Sequence, residues 1–325
     1  MAKSRVTIVG LGLIGGSIGL ALKKAKLEVE IVGHDKDPGA AGRALKRGAV
    51  DKTEWNLINA CDGAGLIVLA LPLDGIKDTL AALKASVEPG VIITDTATSK
   101  VPVLEWAKEL PSGVEFVGGN PVIHAQHVIA GHGIDAADAA LLQGATYCLA
   151  PAVNASAQAI DTLTGFVNLL GAKPYFIEAA EHDGLLTGVQ HFPAFLATAY
   201  AAAVVQSPGW RERGKVAGVA FRAATELVPE DKQTAREQFF SHRADLTRWI
   251  DLSIAQLRDM RDMLAREDAA AVEALVQTIA DERAKWLSGK LDDVGIPRPD
   301  MESMQDQTAR LFFGGLASRQ KKTKR

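Results

Sequence analysis

Two stretches of this 325-residue chain carry side chains at spacings that can do chemistry. The first is Gly10-x-Gly12-x-x-Gly15, directly after the apolar run Val6–Val9 and opening a helix-forming segment. Gly10 permits a tight turn, Gly12 lets backbone approach a pyrophosphate, and Gly15 lets helix and strand pack closely. A helix N-terminus placed there offers free N–H groups and a positive dipole end to phosphates. The second is Gly118-Gly119-Asn120-Pro121-Val122-Ile123-His124-Ala125-Gln126-His127, with His132 soon after. It reads as a histidine-rich loop with an Asn-Pro turn after a short strand, and an imidazole there could accept or donate a proton.

The elements that must position these groups follow from periodicity. Strands are expected at Arg5–Val9, Val29–Gly33, Leu66–Ala70 and Val91–Thr94, with helices between them at Ile14–Lys24, Gly39–Arg47 and Gly75–Ser86. Continuous apolar strands alternating with helices indicate a parallel sheet covered on both faces, an α/β Rossmann-type domain. Further strands are expected at Phe116–Val117 and Thr146–Leu149, then a helix near Ala157–Leu170 and a last strand in the 173–179 run. From Glu181 the texture becomes helical, as in Leu246, Trp249, Ile250, Ser253, Ile254 and Leu257, which share one side of a helix. The expected division is a nucleotide-binding domain at 1–180, an all-helical dimerisation and substrate domain at 181–315, and a disordered basic tail at 316–325.

Composition narrows the classes. The chain is 47% hydrophobic and 23% charged with net charge −3, so it has a sizeable core and no global pull toward nucleic acid or anionic membrane. Two cysteines without metal spacing fit a reduced, cytoplasmic protein. The N-terminus lacks a signal-peptide pattern. The longest central apolar run, Phe192–Val205, contains a proline and is shorter than the ~20 residues of a bilayer span. The three loop histidines lack a carboxylate partner at metal-binding spacing, so no metal site is expected.

Asp35 lies at the end of the second strand, where its carboxylate can accept from the adenosine ribose hydroxyls and would repel a 2′-phosphate. NAD is therefore expected over NADP, with Lys36 softening the preference. The cofactor-binding set is Gly10, Gly12, Leu13, Ile14, Gly15, Asp35, Leu71 and Pro72.

With these residues in place, the chain resembles the prephenate/arogenate dehydrogenase family over about residues 5–260. The resemblance rests on the 10–22 glycine segment, the 68–80 segment with Pro72, the Asp95-x-x-Thr98-x-Lys100 segment, and the 133–151 and 181–195 segments. It implies NAD-dependent oxidative decarboxylation of a cyclohexadienol in tyrosine biosynthesis, with the substrate at the cleft between domains, and a homodimer formed by the helical domain. It also carries over His182, Asp183 and His191, and gives Thr98 an orienting role.

Two positions depart from the family. Its catalytic histidine lies in a Gly-Gly-His-Pro segment, and Asn120 stands there instead; an amide can hydrogen-bond a hydroxyl but cannot take its proton. The expected base is His124, with His127 next, so the catalytic set is His124, Asn120, Thr98 and His127. The family's carboxylate-gripping arginine is matched by Glu226, which would favour an ammonium or hydroxyl on the substrate. Substrate contacts are expected from His191, Arg222, Glu226 and Arg243, with Lys215 also near in sequence. Two other readings stay open: a family-derived NAD dehydrogenase for a different small hydroxy substrate, and a catalytically silent NAD-binding protein.

Overall fold

The computed structural model describes residues 4–127, 131–230 and 232–289, so the expected basic tail and the end of the expected helical domain lie outside the described residues. The described residues divide into two compact units between Ala180 and Glu181.

The first unit alternates strand and helix: β1 (Ser4–Val9), α1 (Leu13–Lys24), β2 (Val29–His34), α2 (Pro38–Lys46), β3 (Lys52–Thr53), α3 (Leu57–Cys61), β4 (Leu66–Leu69), α4 (Leu73–Leu83), β5 (Ile92–Asp95), α5 (Val101–Ala107), β6 (Glu115–Val122), β7 (Thr146–Pro151), α6 (Ala157–Leu169) and β8 (Lys173–Phe176). A 3-10 turn, Gly133–Ala136, lies between β6 and β7. The strands form one sheet in the order β3-β2-β1-β4-β5-β6-β7-β8. Every residue of β4 and β5 is buried, as strands with helices on both faces require. One face packs Ile8, Ile18, Leu22, Leu163 and Phe166. The other packs Ile67, Leu69, Leu80, Ile93 and Val103. Each fully buried Ile or Leu contributes about 1.5–3 kcal/mol.

Two features differ from the sequence reading. The sheet is not wholly parallel, since β6 and β7 pair antiparallel from Val117↔Pro151 to Val122↔Thr146. Among the described residues the chain between them holds a 3-10 turn, and antiparallel neighbours need no crossover. The supposed Asn-Pro turn is also strand, because Gly118 to Val122 all lie in β6. Proline lacks a donor, but Pro121 needs none to sit opposite Tyr147 in this ladder. The short β3, α3 and α5 had no periodic signal long enough to predict them.

The second unit is helical: α7 (Ala179–Leu186), a π turn at Thr187–His191, α8 (Phe192–Val205), α9 (Trp210–Val216), α10 (Val219–Thr225), α11 (Lys232–Phe240), α12 (Arg243–Ala265) and α13 (Ala269–Leu287). From Ala179 to Val205 the helix is continuous for 27 residues, longer than its apolar run implied, and an 18-residue window within it has a mean hydropathy of 1.2. Length alone therefore does not separate it from a span, although Glu181, His182 and Asp183 lie in its first turns. Along α12 the expected stripe is real but unevenly covered: Leu246 is buried, whereas Ile254 and Leu257 are exposed.

Candidate active site

The glycine loop leaves β1 between its neighbours β2 and β4. Gly10 takes φ +93°, and a Cβ on it would lie 2.2 Å from the Ala70 carbonyl oxygen. A Cβ on Gly15 would lie 1.9 Å from the Gly10 oxygen, so helix and strand touch through backbone. Gly12 differs: no atom lies within 4 Å of where its Cβ would be. It is the N-cap of α1 and gives no side-chain cap, and the first turn that includes Leu13 and Ile14 holds no acidic residue. This open, positive helix start fits a pyrophosphate. Asp35 closes the other side. Its carboxylate accepts from Leu11 N–H at 2.7 Å and Asp37 N–H at 2.8 Å. Two N–H donors leave carboxylate lone pairs for a ribose diol. Leu71 and Pro72 follow β4, and Pro72 caps α4 at its N-terminus. The residues present fit NAD.

The second constellation lies where β5 and β6 part. Their ladder ends at Thr94↔Val117. Beyond it Asp95 and Lys100, both wholly buried, hold the next stretch of β6. Asp95 Oδ1 accepts from Gly119 N–H at 3.0 Å, and Oδ2 accepts from Ala97 N–H at 2.9 Å. Lys100 Nζ donates to Asp95 Oδ2 and, at 2.7 Å, to the Gly119 carbonyl. Asn120 follows at 1% exposure, opposite Cys148. Thr98 is half-buried in the turn after β5. His124 is half-buried just past the end of β6, where Nδ1 accepts weakly from Gln126 N–H at 3.3 Å. His127 Nε2 lies 3.5 Å from the Gln143 carbonyl. His132 is exposed and precedes the 3-10 turn.

The second unit gathers a different group. His191 ends the π turn at 6% exposure and stacks on His242, with ring centroids 5.2 Å apart. Asp183 is shared: its Oδ1 lies 2.8 Å from His182 Nδ1 and its Oδ2 lies 3.8 Å from His242 Nδ1. Single π turns inside α-helices recur at functional sites. His242, the residue before α12, was not foreseen; a lone histidine in a polar stretch gives no sign of a carboxylate nearly sixty residues away. Arg222, Glu226 and Arg243 are exposed, as is Lys215. Arg222 lies on α10 and Glu226 caps it, one helical turn apart, so both charges sit at one end of that helix.

Burial holds the His242 imidazole below its ordinary value of 6.5, and the Asp183 and Asp245 carboxylates only partly offset this. The unfolded chain therefore binds more protons than the fold over that interval, so stability rises with pH and is lost as pH falls below about 6.5. The melting temperature should fall between about pH 7 and pH 5.5, and His242→Gln should shrink that fall. An equal fall in the variant would exclude His242 as its source.

Residues 18–176 match the profile described as prephenate dehydrogenase, nucleotide-binding domain, and residues 178–280 match prephenate dehydrogenase, dimerization domain. The prephenate dehydrogenase of Bacillus subtilis is 29% identical over 286 residues, 86% of this chain and 76% of the relative. The cyclohexadienyl dehydrogenase of Zymomonas mobilis is 26% identical over 272 residues, 81% of this chain and 89% of the relative. Two solved structures share the fold. Synechocystis arogenate dehydrogenase is 24% identical with a TM-score of 0.71, covering 87% of this chain and 99% of that one. Aquifex aeolicus prephenate dehydrogenase, solved with hydroxyphenyl propionate and NAD+, is 19% identical with a TM-score of 0.77, covering 88% and 99%. With both domain profiles matched in order along most of its length, this chain belongs to the prephenate dehydrogenase family.

Proposed function

We propose that the protein catalyses NAD-dependent oxidative decarboxylation of prephenate or arogenate in tyrosine biosynthesis. The observation that carries the reading is the match to both domains of one enzyme family on a chain whose glycine loop and Asp35 fit NAD. NAD, when bound, supplies the hydride acceptor. The chain's own residues hold the dinucleotide, orient the substrate hydroxyl and accept its proton while the ring carboxylate leaves as carbon dioxide.

Asn120 donates or accepts a hydrogen bond at the hydroxyl but does not take the proton. Thr98 orients a neighbouring group. His124 is the assigned base, with His127 second, because both imidazoles follow the end of β6 and an imidazole nitrogen can accept a proton. His124 Nδ1 accepts from Gln126 N–H at 3.3 Å. In the second unit His191 and Arg222 contact substrate and Arg243 supplies charge. Glu226 favours a substrate ammonium, which prefers arogenate to prephenate.

The working form is a homodimer. Leu185, Val189, Leu196 and Tyr200 along α7 and α8, and Ile254 and Leu257 on α12, are large apolar side chains left exposed in one copy. A second copy covers such surface, and this unit matches a dimerisation domain. Free, buried Cys61 and Cys148 suit a reduced cytoplasmic setting. The test is NADH formation with each substrate.

A further inference from the structure

The Asp95–Lys100 pair is buried, charged and outside the roles assigned above. Its place in the sheet is specific. The β5–β6 ladder stops at Val117, because β6 then follows β7. The next N–H and C=O on that side, those of Gly119, would otherwise face a buried gap. Asp95 takes the N–H and Lys100 the C=O, so one peptide segment is held from both ends by an ion pair. The two glycines of the segment follow from the same arrangement. A Cβ on Gly118 would lie 3.1 Å from Lys100 Cδ, in the path of the lysine stem. A Cβ on Gly119 would lie 2.6 Å from the Asp95 carbonyl oxygen and 2.9 Å from Tyr147 Cε1. Both charges have short-range partners, and the pair is sealed at 0% exposure.

Stability does not account for such a pair, since a buried ion pair is on average no more stabilising than apolar residues of equal volume. What it achieves is geometric: the residue after Gly119 is fixed in direction. We propose that Asp95 and Lys100 are positioning residues that clamp the Gly119 peptide and so aim Asn120, the side chain at the family's proton-transfer position. This inference rests on the functional reading given above. The pair touches no reacting atom; it acts through the backbone of one residue.

The test uses the full-length dimer and the double variant Asp95→Asn/Lys100→Gln, which removes both charges together and leaves hydrogen-bonding groups of similar size. Three quantities are compared with wild type: NAD affinity by titration, kcat and KM, and amide hydrogen exchange at Gly119 relative to Val117. The clamp predicts unchanged NAD affinity, a KM within a few-fold, and kcat lower by about 100-fold, the scale of an ångström-level misplacement. It also predicts faster exchange at Gly119 while Val117 stays protected. Lys100→Arg, which keeps the charge and the donors, should recover part of kcat. A folded double variant with wild-type kcat, or with Gly119 still protected, overturns the proposal. Should the double variant fail to fold, Lys100→Gln alone decides: slowed kcat with faster Gly119 exchange supports the clamp, and wild-type values of both overturn it. Absence of turnover in wild type overturns the functional reading instead, and the exchange measurement then decides the clamp independently.

Discussion

Gly12→Ala should leave the melting temperature of the protein nearly unchanged and remove most of its affinity for NAD. The two halves of that result have separate causes. Gly12 has φ −81°, which alanine adopts without strain, and nothing lies within 4 Å of the added methyl. The fold therefore tolerates it. The open space is where the dinucleotide's pyrophosphate approaches backbone, and a methyl there holds the phosphates off the start of α1. The loss should be on the order of 10- to 100-fold in affinity, about 1.4–2.7 kcal/mol. Gly10→Ala and Gly15→Ala should behave differently. Their methyls meet backbone oxygens at 2.2 Å and 1.9 Å, so both stability and binding fall. Calorimetric melting and NAD titration on the three variants check this. Equal effects from all three would mean that Gly12 is a packing residue and not part of the phosphate cradle.

His124→Ala should lower turnover by about 10²–10⁴-fold, the usual contribution of a positioned general base, without weakening NAD binding. The cause is the chemistry of position 120. An amide there cannot accept the hydroxyl proton, so the acceptor must come from elsewhere. His124 is half-buried two residues past the end of β6, while His127 is directed at Gln143 in the same loop. His127→Ala should therefore cost less. Unchanged turnover in both variants would remove this loop from the proton transfer.

The glycine loop was legible because its function resides in the backbone, and glycine at three fixed offsets before a helix has few other uses. The parallel strands were legible for a related reason: Leu66–Leu69 and Ile92–Asp95 are continuous buried runs that only a doubly covered sheet explains. The 118–122 segment was misread because Gly, Asn and Pro are turn formers in isolation. Here they are strand residues, and the glycines exist to admit Lys100 and the crowded Asp95 and Tyr147 backbone and ring. No local pattern carries that information, since it depends on contacts between residues 19 to 24 apart in sequence. The Asp95-x-x-Thr98-x-Lys100 spacing was visible, but not that both charges would be fully buried against each other. His242 was hidden for the same reason. Its partners Asp183 and His191 lie on a helix far earlier in the chain, and only the packing of α12 onto the π turn joins them. Glu226 stands exposed at the end of α10.

The central claim is that the family reaction survives the replacement of its histidine by Asn120. The most direct measurement is the initial rate of NADH formation with saturating NAD and either prephenate or arogenate, on protein whose NAD binding has been confirmed by titration. The account predicts turnover, with one carbon dioxide released per NADH and faster reaction with arogenate, whose ammonium suits Glu226. NAD binding without turnover on either substrate would contradict it.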